Sequence, residues 1–113
     1  PPFSSGAVAF SPGSAKLSKE QLAALDDIAA ALKANPWIPA VAISAHVTRD
    51  EVAPARLAKL SQARAKAVRD ALAKRGVAAA RLRITPFDAA QLNQDVQVRS
   101  VDVRACALGE SCP

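Results

Sequence analysis

Few residues in this chain are of a type that does chemistry, and most of them are badly placed for it. His46 is the single histidine. With Ser61 and an aspartate it could nominally form a nucleophilic triad, but Ser61 lies inside a segment of helical spacing, with no sharp turn and no glycine-rich oxyanion loop near it. The four glycines are not clustered, so there is no phosphate-cradling loop. One histidine and two cysteines make no zinc set, and the carboxylates form no recognisable acid–base pair. Trp37 reads as a core or capping aromatic. No metal, no cofactor and no catalysis are expected.

Arg64 is different. In "LAKLSQARAKAV", residues 57–68, helical spacing places Leu57, Leu60, Ala67, Val68, Ala71 and Leu72 on one face, while Lys59 and Lys66 point away. Arg64 falls near the middle of the apolar face. A guanidinium withdrawn from water needs its donors satisfied. Two arrangements do that: an internal ion pair, for instance with Asp50 or Asp102, or an anion site in which the planar fork grips a carboxylate.

The elements that must position Arg64 follow from periodicity and punctuation. "AVAF", residues 7–10, is a short apolar run bounded by Gly6 and "SPGS" and reads as a strand. Ser18 and Gln21 make a capping box, with Leu22, Leu25, Ile28, Ala29 and Leu32 at helical spacing behind them. Asn35-Pro36 ends this helix. Residues 39–45, "PAVAISA", predict a second strand buried on both faces, and "HVTRDEVAP" a polar loop. The second helix spans about 55–75 and stops at Gly76. Residues 80–85, "ARLRIT", alternate as a strand, "PFDAAQLNQD" is a loop, and residues 96–105 form a last strand with a bulge at Arg99-Ser100. The order β-α-β-α-β-β predicts an α/β two-layer sandwich: a mixed sheet with two helices on one face. Parallel pairing is expected from the strand–helix alternation, and an antiparallel pair within the last two strands.

Bulk properties agree with one domain, residues 1–105. The chain has 113 residues, half of them hydrophobic and mostly Ala, Val and Leu. The net charge of +5 and a pI near 9.8 raise the question of nucleic acid. The basic residues are scattered, though, and aromatic residues are only 4% of the chain, too few for base stacking. An acidic partner surface remains open. No apolar run is long enough to span a membrane. The start at "PPFSSG" reads as a boundary inside a longer protein, so a targeting segment could precede it.

Cys106 and Cys112 bracket "CALGESC", too far apart for a C-x-x-C motif. A disulfide-closed tail over residues 106–113 is expected, implying an oxidising compartment such as a periplasm. Two unpaired thiols in a frayed tail are the other reading.

Taken together, these residues resemble the OmpA-like domain, the peptidoglycan-associating module of outer-membrane proteins, lipoproteins and flagellar stators. "LSQARAKAVRDALAKRGV", residues 60–77, is similar to the family's Leu-Ser-x-x-Arg-Ala-x-x-Val-x-x-x-Leu helix ending in Gly-Val or Gly-Ile, and "ISAHVTRD" resembles the segment that normally reads Gly-His-Thr-Asp. The resemblance implies a non-catalytic envelope domain in the periplasm of a Gram-negative bacterium, associated with the outer membrane or cell wall. Arg64 and an aspartate after the His-Thr pair would clasp the diaminopimelate of the peptidoglycan stem peptide. His46, Thr48, Asp50 and Arg99 would complete the ligand site. The pattern departs in places. Counting back from Arg64, the family's aspartate falls at Arg49, with Asp50 one residue late. Ala45 replaces a glycine, Leu57 an asparagine, "TPFDAA" a glycine-rich turn, and only Arg99 is kept of an Asn-Arg-Arg run. The implied function is therefore peptidoglycan association through Arg64, with Asp50 serving from a loop bulged by one residue. The alternative is a degenerate domain that has lost peptidoglycan binding and scaffolds envelope proteins.

Overall fold

The computed structural model describes residue 3, residues 5–87, the backbone of residues 92–93, and residues 99–106. In chain order the elements are β1 (Ser5–Ala9), α1 (Lys19–Ala34), β2 (Val41–Ala45), β3 (Val47–Thr48), α2 (Leu57–Lys74), β4 (Leu82–Ile84), β5 (Leu92–Asn93) and β6 (Ser100–Ala105). The main sheet has the order β1-β6-β2-β4. β6 runs antiparallel to both β1 and β2, and β2 is parallel to β4. The two helices pack on this sheet in a second layer, as the α/β sandwich predicted.

The last strand does not pair with its predecessor in sequence. It inserts between β1 and β2, so the antiparallel pairs it makes are not with β4, and within the main sheet the expected parallel pairing is that of β2 with β4. β6 suits a central place because its alternation buries Val101 and Val103 completely while Asp102 and Arg104 face the other way. The β1–β6 pairing continues past the strand ends, where the Phe10 N–H donates to the Arg99 carbonyl at 2.7 Å. Residues 96–98, the first part of the predicted last strand, lie outside the described residues.

Each helix ends where its chemistry requires. At the start of α1 the Ser18 N–H donates to Gln21 Oε1, one half of the predicted capping box. Its C-terminal end is held by Arg81, whose guanidinium donates to the carbonyls of Leu32 at 3.0 Å, Asn35 at 3.0 Å and Ile38 at 3.1 Å. A cation on the unpaired carbonyls of a helix end is favourable twice, by hydrogen bond and by dipole. α2 is preceded by one 3₁₀ turn, Pro54–Arg56, and is followed by its C-cap Arg75 and then Gly76. There the N–H of Gly76 reaches the Ala73 carbonyl and the N–H of Val77 the Leu72 carbonyl, with Gly76 at φ +91°. This Schellman closure needs a residue free to take the left-handed conformation.

The core lies between the layers. Leu25, Ile28, Ala29 and Leu32 from α1 meet Ala65, Val68, Ala71 and Leu72 from α2 over Val8, Val41, Ile43, Val101 and Val103 of the sheet. β2 is buried along its length apart from Ser44, as expected of a strand covered on both faces. "HVTRDEVAP" is not wholly loop: Val47 and Thr48 are buried and pair in parallel with Leu92 and Asn93, giving a second, two-stranded sheet inside two segments read as loops. Cys106 is buried, its N–H donating to the Ala40 carbonyl at 3.0 Å, and no cysteine among the described residues is a free thiol. Cys112, and with it the expected pairing, lies outside the described residues. We expect a disulfide here. Native mass spectrometry after alkylation without reductant should find no modified thiol; two alkylated cysteines would refute it. Its reduction should hardly move global stability, because the loop it closes is short and terminal.

Candidate functional site

Arg64, set apart by its place on an apolar helix face, is fully buried, with 0% of its surface exposed. It sits on α2 in the stripe formed by Leu57, Leu60, Val68 and Leu72. Its guanidinium is directed at the place where three segments meet, the β1–α1 connection, the end of β2 and the loop after β3.

Each segment contributes acceptors. Ser11-Pro12-Gly13-Ser14 is a β-turn, closed by the Ser14 N–H on the Ser11 carbonyl at 3.1 Å. Proline at its second position and Gly13 at φ +69° at its third are what a type II turn requires. The turn offers the Ser14 carbonyl to Arg64 Nε at 2.8 Å and the Ser11 carbonyl to Nη2 at 3.1 Å. The His46 carbonyl accepts from Nη1 at 3.1 Å. The Glu51 carboxylate takes the remaining two donors, Oε2 from Nη1 at 3.0 Å and Oε1 from Nη2. All five N–H groups of the guanidinium are thereby used. The Phe10 ring lies beneath, its centroid 5.4 Å from Arg64 Cζ, a cation–π contact.

Glu51 is held as closely as the arginine. Its side chain is 1% exposed. Besides Arg64 it accepts the Gly13 N–H at 2.9 Å and the Thr48 N–H at 2.8 Å. Burial alone would push the carboxyl up. The hydrogen bonds from Arg64 and from the Thr48 and Gly13 N–H groups, with the arginine's charge, outweigh burial and hold it below its ordinary value of 4.5. A depressed folded-state pKa adds stability that is complete above the unfolded value and is lost as pH falls through the folded one. Urea midpoints measured from pH 7 downward should therefore begin to fall below about pH 4.5, and Glu51→Gln should flatten that part of the profile. A wild-type slope unchanged in the variant would remove Glu51 as its source.

The other predicted residues fall around this pair. Asp50, the expected partner of Arg64, is exposed in the turn after β3; the carboxylate that reaches the arginine is that of the next residue, Glu51. Asp102, the other expected partner, instead meets His46 Nε2 at 2.9 Å. Thus His46 touches the pair through its carbonyl and turns its ring to β6. Thr48 contributes its main-chain N–H. The Arg99 carbonyl accepts from the N–H of Phe10, whose ring lies under the guanidinium. Ser61 donates to the Ala45 carbonyl, a helix-to-sheet tie rather than a nucleophile's geometry. Sequence reasoning missed Glu51, Phe10 and the "SPGS" turn as partners. A signal for the turn was present, since Pro-Gly at its centre fixes its type. For Glu51 none was, because choosing among three consecutive charged residues depends on the backbone path.

Among the described residues no helix is long and apolar enough to cross a membrane, and no cluster of His, Cys, Asp and Glu has metal-binding geometry.

No curated protein matches this chain. Among solved structures it is similar to the OmpA-like domain of FopA1 from Francisella tularensis subsp. tularensis SCHU S4, with TM-score 0.72 and 17% identity over 88% of this chain and 69% of that one. It is also similar to the peptidoglycan-associated lipoprotein from Burkholderia pseudomallei, with TM-score 0.66 and 25% identity over 87% of both chains, and to the periplasmic domain of Helicobacter pylori MotB, with TM-score 0.65 and 12% identity over 90% of this chain and 73% of that one. The OmpA family model matches residues 9–104. A match that begins at the last residue of β1 and ends inside β6 takes in the buried arginine and every element that holds it: the chain belongs to the OmpA family.

Proposed function

We propose that this chain is a non-catalytic envelope domain that associates with peptidoglycan, in the periplasm of a Gram-negative bacterium. The observation that carries the reading is the likeness, over 87% of both chains, to a peptidoglycan-associated lipoprotein. The ligand chemistry in this reading is that of the stem peptide, whose diaminopimelate offers a carboxylate and an ammonium. Arg64 is ill suited to take that carboxylate directly, since its five donors are used and both it and Glu51 are out of solvent. Those same facts, and a cation at Arg49 where the resemblance expects an aspartate, favour a second reading: a scaffold for envelope proteins with a sealed pocket.

Sedimentation with purified sacculi separates the two. Wild-type protein should co-sediment; protein left in the supernatant at every sacculus concentration would leave the scaffold. Asp50→Asn should change the binding by no more than about twofold, because an exposed substitution away from the buried pair is worth about 0.5 kcal/mol or less. A tenfold loss would instead reinstate Asp50 as the partner of the ligand ammonium.

A further inference from the structure

A second feature of this region is open where the arginine is closed. Next to the buried pair, sharing with it Gly13, whose N–H donates to Glu51, lies a groove of about 310 Å³. Val52, Leu60 and Ala63 give it an apolar lining, and Arg56 and Lys59 stand at its edge. Both cations are exposed, and neither forms an ion pair among the described residues. No acidic side chain lines the groove. The first turn of α2 carries no acidic residue either, so the positive end of the helix is not neutralised there. The nearest carboxylate by sequence to Val52, that of Glu51, is turned inward and matched by Arg64.

We infer that this domain holds the carboxylates of a peptide at Arg56 and Lys59, outside the sealed arginine. The inference rests on the peptidoglycan reading, which makes the occupant the stem peptide. The chemistry fits. Arg56 closes the 3₁₀ turn and caps α2, and Lys59 follows three residues later in the first turn of the helix. A small apolar lining beside two cations unpaired among the described residues suits a short peptide that carries free carboxylates. Arginine takes one carboxylate through its planar fork and lysine another as a point charge. The Arg64–Glu51 pair then has a different role. It ties the β1–α1 connection and the loop after β3, which bring Gly13, Ala15 and Val52 to the groove, to α2, so the cations are presented on a fixed surface.

The test uses the 113-residue chain, purified sacculi, and the soluble stem peptide released from them. The double variant Arg56→Gln/Lys59→Gln should lose about tenfold or more in affinity for both probes. Arg56→Lys should retain most of the binding, and a stem peptide with amidated carboxylates should bind neither protein. Amide shifts on adding the stem peptide should centre on Val52, Lys59 and Ala63. Wild-type binding to sacculi that the double variant matches would overturn this inference and leave the peptidoglycan reading standing. Wild-type protein that ignores both probes would overturn both. A glutamate-rich protein peptide that shifts the same amides at higher affinity than the stem peptide would overturn the choice of occupant in favour of a protein partner.

Discussion

Arg64→Ala is expected to destabilise the domain by about 3–5 kcal/mol, because it leaves a buried carboxylate without its counter-ion. Glu51 would keep the Gly13 and Thr48 N–H bonds but lose both bonds from the guanidinium. The carbonyls of Ser14 and His46 would lose the guanidinium as donor at the same time, and that of Ser11 would keep only the Ser14 N–H. Urea unfolding reads the loss directly. The control is a double replacement by apolar residues of similar volume, Arg64→Met with Glu51→Leu. It should recover a large part of the loss, since replacing both members of a buried pair is far less costly than removing one. Wild-type stability in Arg64→Ala would mean that the arginine is not part of the frame and is free to serve a ligand.

Phe10→Ala should cost a similar amount, about 3–5 kcal/mol, by opening a cavity under the same guanidinium. The ring is 5% exposed and packs in the main core. It also faces a cation that has no access to water, where a cation–π contact is worth about 2 kcal/mol. Phe10→Leu separates the two contributions: it refills most of the volume and removes only the ring's attraction for the charge. Differential scanning calorimetry of both variants should place Phe10→Leu well above Phe10→Ala. Equal melting temperatures would show that the aromatic face, and not volume, is what matters.

These substitutions bear on what the sequence could disclose. The two helices were legible because their apolar spacing is strict and their ends are marked by Ser18, Asn35-Pro36 and Gly76. That Arg64 is buried was legible from the same spacing, as was the need to satisfy it. The identity of its partners was not. Asp50 and Asp102 were reasonable from charge alone, but Asp50 is carried to the outside of the turn and Asp102 sits on the strand face that meets His46. Glu51 is chosen because the chain after Thr48 folds back so that its carboxylate caps the N–H of Thr48 and reaches the arginine together. Such a path is set by tertiary closure, which no local pattern encodes. The placement of β6 escaped for a related reason. Alternating valines announce a strand, and burial of Val101 and Val103 fits a central position, but spacing does not say between which neighbours the strand lies. The two short strands β3 and β5 are below the length at which a period of two can be recognised.

The insertion of β6 between β1 and β2 also bears on how the molecule acquires its shape. Ser5 faces Arg104, its partner 99 positions later in the chain, and Val41 faces Ala105. Until β6 has been made, β1 has no neighbour in the sheet and β2 has only β4, on one side. Helix α1 and helix α2 can form early, from local interactions, but the layer they cover stays split into β1 and the β2–β4 pair. Loop closure over so many residues carries its entropic penalty before any sheet hydrogen bond repays it. Emerging chains therefore expose the facing edges of β1 and β2 until β6 follows, edges of the kind that invite pairing with other chains. Completion of the domain is a single late event in which one six-residue segment closes both halves at once.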